Sequence, residues 1–175
     1  MTDSAKRAGK KVGQADHSAS AREILDVMLA QGVDRDGYRI GLWANFYTVP
    51  VFAEIERRFG LLRDENNILF CLAHYGSLTA RSICEVTARP KNSVSRAVEK
   101  LLRAGLIRRE TDPEDRRKGV LTITPEGREL LAQTSLLFQE REALMLRRLT
   151  AADRRTLDRL LTKLMAGIPE WGGPF

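Results

Sequence analysis

Lys91, Asn92, Ser93, Ser95, Arg96, Glu99, Lys100 and Arg103 crowd into residues 91–103 of this 175-residue chain. Their types suit hydrogen bonding to nucleic acid. Arg and Lys donate to guanine O6 and N7, Asn bonds adenine through both amide atoms, and Ser reaches a base edge or a phosphate. Val94, Ala97, Val98, Leu101 and Leu102 fall between them at i, i+3, i+4, i+7 and i+8. That spacing predicts a helix ending at Gly105, with one face buried and the other wholly polar. An ordinary solvated amphipathic helix has the same period, so the flanking segments must decide.

A second cluster, Asp112-Pro113-Glu114-Asp115-Arg116-Arg117-Lys118, separates strand-like Leu106-Ile107-Arg108-Arg109 from Gly119-Val120-Leu121-Thr122-Ile123. A hairpin with a cationic loop placed directly after such a helix is a wing, and an Arg at its tip suits the narrow minor groove, where negative potential concentrates. Asp115 has a compatible plainer role, holding the guanidinium of Arg116 or Arg117 in a salt bridge.

The formal charge of +6 is concentrated in the same region. Residues 1–78 carry ten basic and ten acidic side chains, and residues 119–175 add only +1, whereas residues 79–118 hold eleven basic against six acidic. A local excess of this kind fits a face that meets a polyanion and releases its counterions.

These groups need elements to position them. Thr79 is the expected N-cap of a short helix to about residue 87. Ala88-Arg89-Pro90 then breaks the chain, with Pro90 suited to the first turn of the polar-faced helix. Two short helices joined by a tight turn are the parts of a helix-turn-helix. Upstream, Ser20 and Glu23 form a capping box that opens a helix with Ile24, Leu25, Met28 and Leu29, ended by Gly32. A helix over 36–59 follows, with Trp43, Tyr47, Val51 and Ile55 on one side and a kink at Pro50. A third is capped by Asp64 and turns Ile68, Leu69, Leu72 and Tyr75 inward up to Gly76.

Downstream, Thr124-Pro125-Glu126-Gly127 opens a helix to about residue 148, with apolar pairs Leu130/Leu131, Leu137/Phe138 and Leu144/Met145 seven apart. Thr150 with Asp153 starts the last helix, striped by Leu157, Leu160, Leu161, Leu164, Met165 and Ile168. Such stripes need a partner surface, either the Trp43 helix of the same chain or a second protomer. The fold class is therefore mainly α with a small β-hairpin wing.

Several functions fit poorly. The longest apolar run is residues 68–73, far short of the roughly 18 residues that span a bilayer. The first twenty residues lack a signal-like apolar stretch, so a cytoplasmic location is expected. Of two histidines, His17 falls in the N-terminal tail and His74 stands apart, and no nucleophile elbow, zinc-protease or phosphate-loop motif occurs, so no enzyme is expected. Cys71, His74 and Cys84 lack the fourth ligand of a closed zinc site; no metal or other cofactor is expected.

Gly105-Leu106-Ile107-Arg108-Arg109, then Asp112-Pro113-Glu114-Asp115-Arg116-Arg117, then Leu121-Thr122-Ile123-Thr124-Pro125-Glu126-Gly127 resembles the wing signature of the MarR family of bacterial regulators. Ile123 stands where that signature has Leu. Ser93-Val94-Ser95-Arg96 is similar to the start of its recognition helix. The resemblance covers about residues 36–168. It implies a homodimer of winged helix-turn-helix protomers joined through N- and C-terminal helices. It also implies a repressor on pseudo-palindromic operators that is released by a small, often aromatic, effector.

Carried onto this chain, Lys91, Asn92, Ser93, Ser95, Arg96 and Lys100 contact double-stranded DNA, Arg117 is the wing-tip residue oriented by Asp115, and Arg116 is the second choice for the minor groove. The implied organisation is a flexible basic tail over 1–19, N-terminal dimerisation helices over 20–62, a DNA-binding lobe over 63–124, and C-terminal dimerisation helices with a short tail over 125–175. The extra helix at 20–31 would embrace the other protomer. The family's ligand location points to Trp43, Phe46 and Tyr47, with Arg39 and His74 as polar partners, as effector-binding residues, although aromatics at helical spacing are commonly core. A peroxide-sensing thiol, as in some relatives, would need an exposed cysteine of low pKa, which neither cysteine's position suggests. The competing reading is a winged-helix adaptor that binds protein and not specific DNA; an apolar or acidic recognition face would favour it.

Overall fold

The computed structural model describes Ser20, Glu23, Asp26, residues 36–111 and residues 119–172. The elements, in order, are α1 (Asp36–Phe59), α2 (Arg63–Tyr75), α3 (Ala80–Thr87), α4 (Lys91–Arg103), β1 (Ile107–Thr111), β2 (Gly119–Ile123), α5 (Pro125–Leu146), α6 (Ala151–Ala166) and α7 (Ile168–Trp171). The chain divides into two compact units, residues 1–43 and 44–175. In the first, the Ser20 amide donates to Glu23 Oε2 (2.6 Å) and the Glu23 amide to Ser20 Oγ (3.3 Å), so the expected capping box is formed. The remainder of the helix expected at 20–31 is outside the described residues, as is the basic tail.

The core of the second unit gathers Val51 and Ile55 of α1, Ile68, Leu69 and Leu72 of α2, Ile83 of α3, Val94, Val98 and Leu101 of α4, Ile107 and Leu121 of the hairpin, and Leu131 and Leu137 of α5. Buried polar contacts supplement it. Thr134 Oγ1 donates to Asn66 Oδ1 at 2.8 Å, joining α5 to α2, and both residues are buried. A buried polar pair that satisfies itself avoids the desolvation penalty of an orphaned donor.

The helix ends follow their local chemistry. Thr79 Oγ1 accepts from the Ser82 amide, Thr124 Oγ1 from the Gly127 amide and Thr150 Oγ1 from the Asp153 amide, the last closed by Asp153 into a capping box. Helix α4 ends as expected at Gly105 (φ +69°), whose amide bonds Leu102 O while the Leu106 amide bonds Leu101 O. That is the left-handed stop glycine tolerates best. Strand β1 pairs antiparallel with β2, Ile107 facing Ile123 and Thr111 facing Gly119. Leu78 adds a third rung, exchanging backbone hydrogen bonds with Leu121.

Some expectations are corrected. Leu62, not Asp64, is the N-cap of α2: the Glu65 side chain accepts from the Leu62 amide at 2.8 Å, and Asp64 is used elsewhere. Tyr75 points outward, being 66% exposed. Pro90 is the cap of α4, one residue before the first helical turn, its carbonyl accepting from the Ser93 and Val94 amides. Pro50 lies inside the single helical span of α1. Pro50 has no N–H to offer the Phe46 carbonyl four residues back, and Arg141 of α5 donates to that carbonyl instead, Nη2 at 2.7 Å. The short helix α7 was not foreseen. No described helix is long and apolar enough to cross a membrane.

Candidate nucleic-acid interface

Helix α3 is held by buried Ile83 and its Thr79 cap, and ends at Ala88, a non-glycine residue in the left-handed region (φ 52°). This turn sends Arg89 back across α2, where Nε and Nη2 donate to the two Asp64 carboxylate oxygens at 2.6 and 3.1 Å. Ser93 Oγ, in the first turn of α4, donates to the same carboxylate. Burial works to raise the Asp64 pKa, but the Arg89 and Ser93 hydrogen bonds and the guanidinium charge outweigh it and hold the carboxyl below its ordinary value. Two turns further on, Lys100 Nζ donates to Glu65 Oε2 (2.9 Å) and to Gly60 O (3.0 Å).

Helix α4 buries Val94, Ala97, Val98 and Leu101 and exposes Lys91, Asn92, Ser95, Arg96, Glu99 and Arg103. Ion pairing sorts the cations. Arg81 pairs with Glu85, Arg89 with Asp64, Lys100 with Glu65, Arg108 with Glu110 and Arg109 with Glu99. Of the segment 79–111, Lys91, Arg96 and Arg103 have no carboxylate partner among the described residues. All three lie on α4, Arg96 and Arg103 in one row and Lys91 in the first turn on a different side, so the uncompensated charge of this segment is confined to one helix.

The residues expected at the interface are thus placed differently from one another. Lys91, Asn92, Ser95 and Arg96 stand exposed on α4, whereas Ser93 is half-buried against Asp64 and Lys100 is drawn to Glu65. Asp115, Arg116 and Arg117 are outside the described residues. Arg103, Arg89, Asp64 and Glu65 are not among the residues expected at the interface, Asp64 being expected only as a helix cap. Arg103 was legible as part of the polar face; the two acids lie 25 to 35 residues from their partners and leave no periodic signal.

Of the proposed effector residues, Arg39 is exposed and 3.9 Å from Asp36, and Trp43 is 39% exposed. Phe46 is exposed. Tyr47 packs edge-on against Phe138, with ring centroids 6.1 Å apart. Burial, helped by the Glu142 charge, raises the Tyr47 hydroxyl pKa. His74 stacks on Phe70 (4.0 Å), and its Nδ1 lies 2.9 Å from Phe70 O. None of the five lines the open cleft of about 1050 Å³ that runs between α1, α2 and α4. Phe52 and Leu62 give that cleft an apolar wall, and its charged lining is mixed, Arg63, Arg89, Arg96, Lys100 and Arg103 against Glu56, Asp64, Glu65 and Glu99. The Arg63 guanidinium sits over the Phe52 ring, 5.2 Å from its centroid.

No group of three metal-ligating side chains is found among the described residues. Cys71 is buried, which pushes its thiol pKa up, away from the reactive thiolate.

A helix-turn-helix whose second helix presents unpaired cations, followed by an antiparallel hairpin, is a winged helix-turn-helix. Comparison with known proteins shows what it is similar to. Residues 59–118 match the MarR family model. The chain is 31% identical over 84 residues to the HTH-type transcriptional regulator BilQ of Clostridium symbiosum. It is 31% identical over 97 residues to a putative transcriptional regulatory protein for the hcr operon of Thauera aromatica. These matches cover 48% and 55% of this chain and 58% of each relative. A MarR/EmrR family transcriptional regulator from Acinetobacter sp. ADP1 superposes with a TM-score of 0.66 at 26% identity, over 77% of this chain and 94% of that one. A MarR mutant from E. coli complexed with operator DNA superposes at 0.62, with 17% identity, over 83% and 99%. The chain thus spans 58% of the length of both curated relatives, and its similarity to the MarR family model lies in residues 59–118.

Proposed function

We propose that the chain is a sequence-specific DNA-binding transcriptional regulator that works in the cytoplasm as a homodimer, represses from a pseudo-palindromic operator, and is released by a small effector. The observation that carries the DNA reading is the row of cations on the outward face of α4 left without carboxylate partners among the described residues. A polyanion is the partner that such a face suits. The solved relative with operator DNA and the regulators among the relatives support the same reading. For the dimer, the apolar stripe of α6, on which no residue is buried within the protomer, is the support. The effector reading draws on the resemblance and on the cleft, where an apolar wall lies beside Arg63, Arg96 and Arg103, cations without a carboxylate partner among the described residues. The domain organisation given above is part of the proposal, and catalysis is not.

The test is a titration against a duplex selected by the wild-type chain from a random-sequence pool, with a shuffled duplex of equal composition beside it. Two recognition helices related by a two-fold axis should select half-sites about 10 bp apart, and binding should fall steeply with salt. A flat log-log salt dependence would favour the adaptor. Arg96→Ala is expected to weaken the selected duplex by about 1–3 kcal/mol and the shuffled one by less. An equal loss on both makes Arg96 a phosphate contact. Arg117→Ala is expected to cost about the same on the selected duplex at fixed salt; unchanged affinity removes the wing from the mechanism.

A further inference from the structure

We propose that Asp64 and Glu65 are the positioning residues of the recognition helix, and that Ser93 and Lys100 serve this clamp and not the duplex; the proposal rests on the DNA-binding reading above. Two adjacent acids in the first turn of α2 reach two points of α4: Asp64 takes Ser93, with Arg89 from the preceding turn, and Glu65 takes Lys100. Ser93 and Lys100 are seven residues apart, two helical turns or about 10.5 Å, and lie in one row. A single tether would leave α4 free to rotate about it. Two tethers along one row fix both its height against α2 and its rotation about its own axis.

The pinned row flanks the buried stripe of Val94, Ala97, Val98 and Leu101. At about 100° per residue, the row directly opposite that stripe is then Asn92, Arg96, Glu99 and Arg103. Glu99 is tied to Arg109 of β1 (3.1 Å), which leaves Asn92, Arg96 and Arg103 as the groups turned outward along the helix. Ser93 is spent differently. Its hydroxyl proton goes to a half-buried carboxylate and is not available to a phosphate oxygen.

Simple electrostatics and the clamp predict opposite signs. Asp64 is a negative charge beside a face that meets a polyanion, so its removal by charge alone tightens binding to any duplex. The clamp predicts that Asp64→Ala weakens the selected duplex about ten-fold while the shuffled duplex stays unchanged or tightens. Asp64→Asn, which keeps a neutral hydrogen bond to Ser93, should recover part of that loss. Ser93→Ala should be milder, and the double variant Asp64→Ala/Ser93→Ala no worse than Asp64→Ala, because the two act through one contact.

Amide hydrogen exchange supplies a readout that needs no DNA. Asp64→Ala, or Asp64→Asn should the alanine variant not fold, is expected to speed exchange in residues 89–103 while residues 68–72 stay protected. Additive losses for Asp64→Ala and Ser93→Ala, tighter binding to both duplexes, or unchanged exchange in α4 would each overturn the proposal. If the wild-type chain binds no duplex with a salt slope, the DNA reading fails by itself, and exchange still decides whether the clamp exists.

Discussion

Gly127→Ala is expected to destabilise the chain by about 3 kcal/mol or more, a fall in Tm of roughly 6–12 °C for a protein of this size. A Cβ at residue 127 would stand 2.2 Å from the Leu106 carbonyl oxygen and 2.9 Å from Ile123 Cγ1. The first of these is backbone and has no rotamer through which to retreat. The same carbonyl accepts from the Thr124 amide at 3.1 Å, and Thr124 Oγ1 donates to Gly105 O at 2.9 Å, so the start of α5 is bonded onto the chain entering β1. Moving α5 outward to admit a methyl group would stretch both bonds. It would also shift the hairpin that α5 follows. Thermal unfolding followed by circular dichroism checks this; a Tm within about 2 °C of the wild type would mean that the approach is looser than the distances require.

That glycine shows how much was legible in the chain. Its presence after Thr124-Pro125-Glu126 marked a helix start and a resemblance, but the close approach that excludes any larger residue comes from the Leu106 backbone, twenty-one residues earlier. The helices with caps and clean 3.6-residue stripes, α4 above all, were readable because period and capping are local properties. Asp64 was misassigned for the complementary reason. Its neighbourhood suits a cap, yet the tertiary pairing with Arg89 and Ser93 is the stronger use of a carboxylate, and the adjacent Glu65 takes the cap instead. The donor that meets the Phe46 carbonyl in place of a Pro50 amide, Arg141, is also more than ninety positions away. Within the candidate interface, sequence supplied the residue types on the polar face of α4. It did not supply the sorting of that face into cations with a carboxylate partner and cations without one, because the pairing that removes Lys100 is made by Glu65 of α2, thirty-five residues earlier.

The dimer admits the sharpest test, because its proposed seam can be altered without touching the protomer core. Helix α6 has no buried residue, and its Leu160, Leu164 and Met165, continued by Ile168 at the start of α7, are each between 44% and 66% exposed. Covering the exposed halves of these four side chains on two protomers, at about 0.8–1.5 kcal/mol each, gives on the order of 10 kcal/mol. That is comparable to the 4–15 kcal/mol that association costs in lost freedom. The α6 stripe alone therefore sits near the threshold, and a stable dimer needs further contacts, for which exposed Trp171 of α7 and Leu144 of α5 are available. A margin this narrow is easily tipped. Leu160→Glu with Leu164→Glu places four carboxylates in the seam of a dimer, each with a desolvation penalty of several kcal/mol if left unpaired. The double variant is expected to run as a monomer at micromolar concentration in light scattering. Its affinity for the selected duplex should fall by about three orders of magnitude, toward the non-specific range, because one reading head cannot hold two half-sites. Its hydrogen-exchange protection at residues 68–72 should be unchanged. A variant that remains dimeric would move the interface away from α6, and one that is monomeric yet binds the selected duplex at full strength would show that the two-fold arrangement is not what the operator reads.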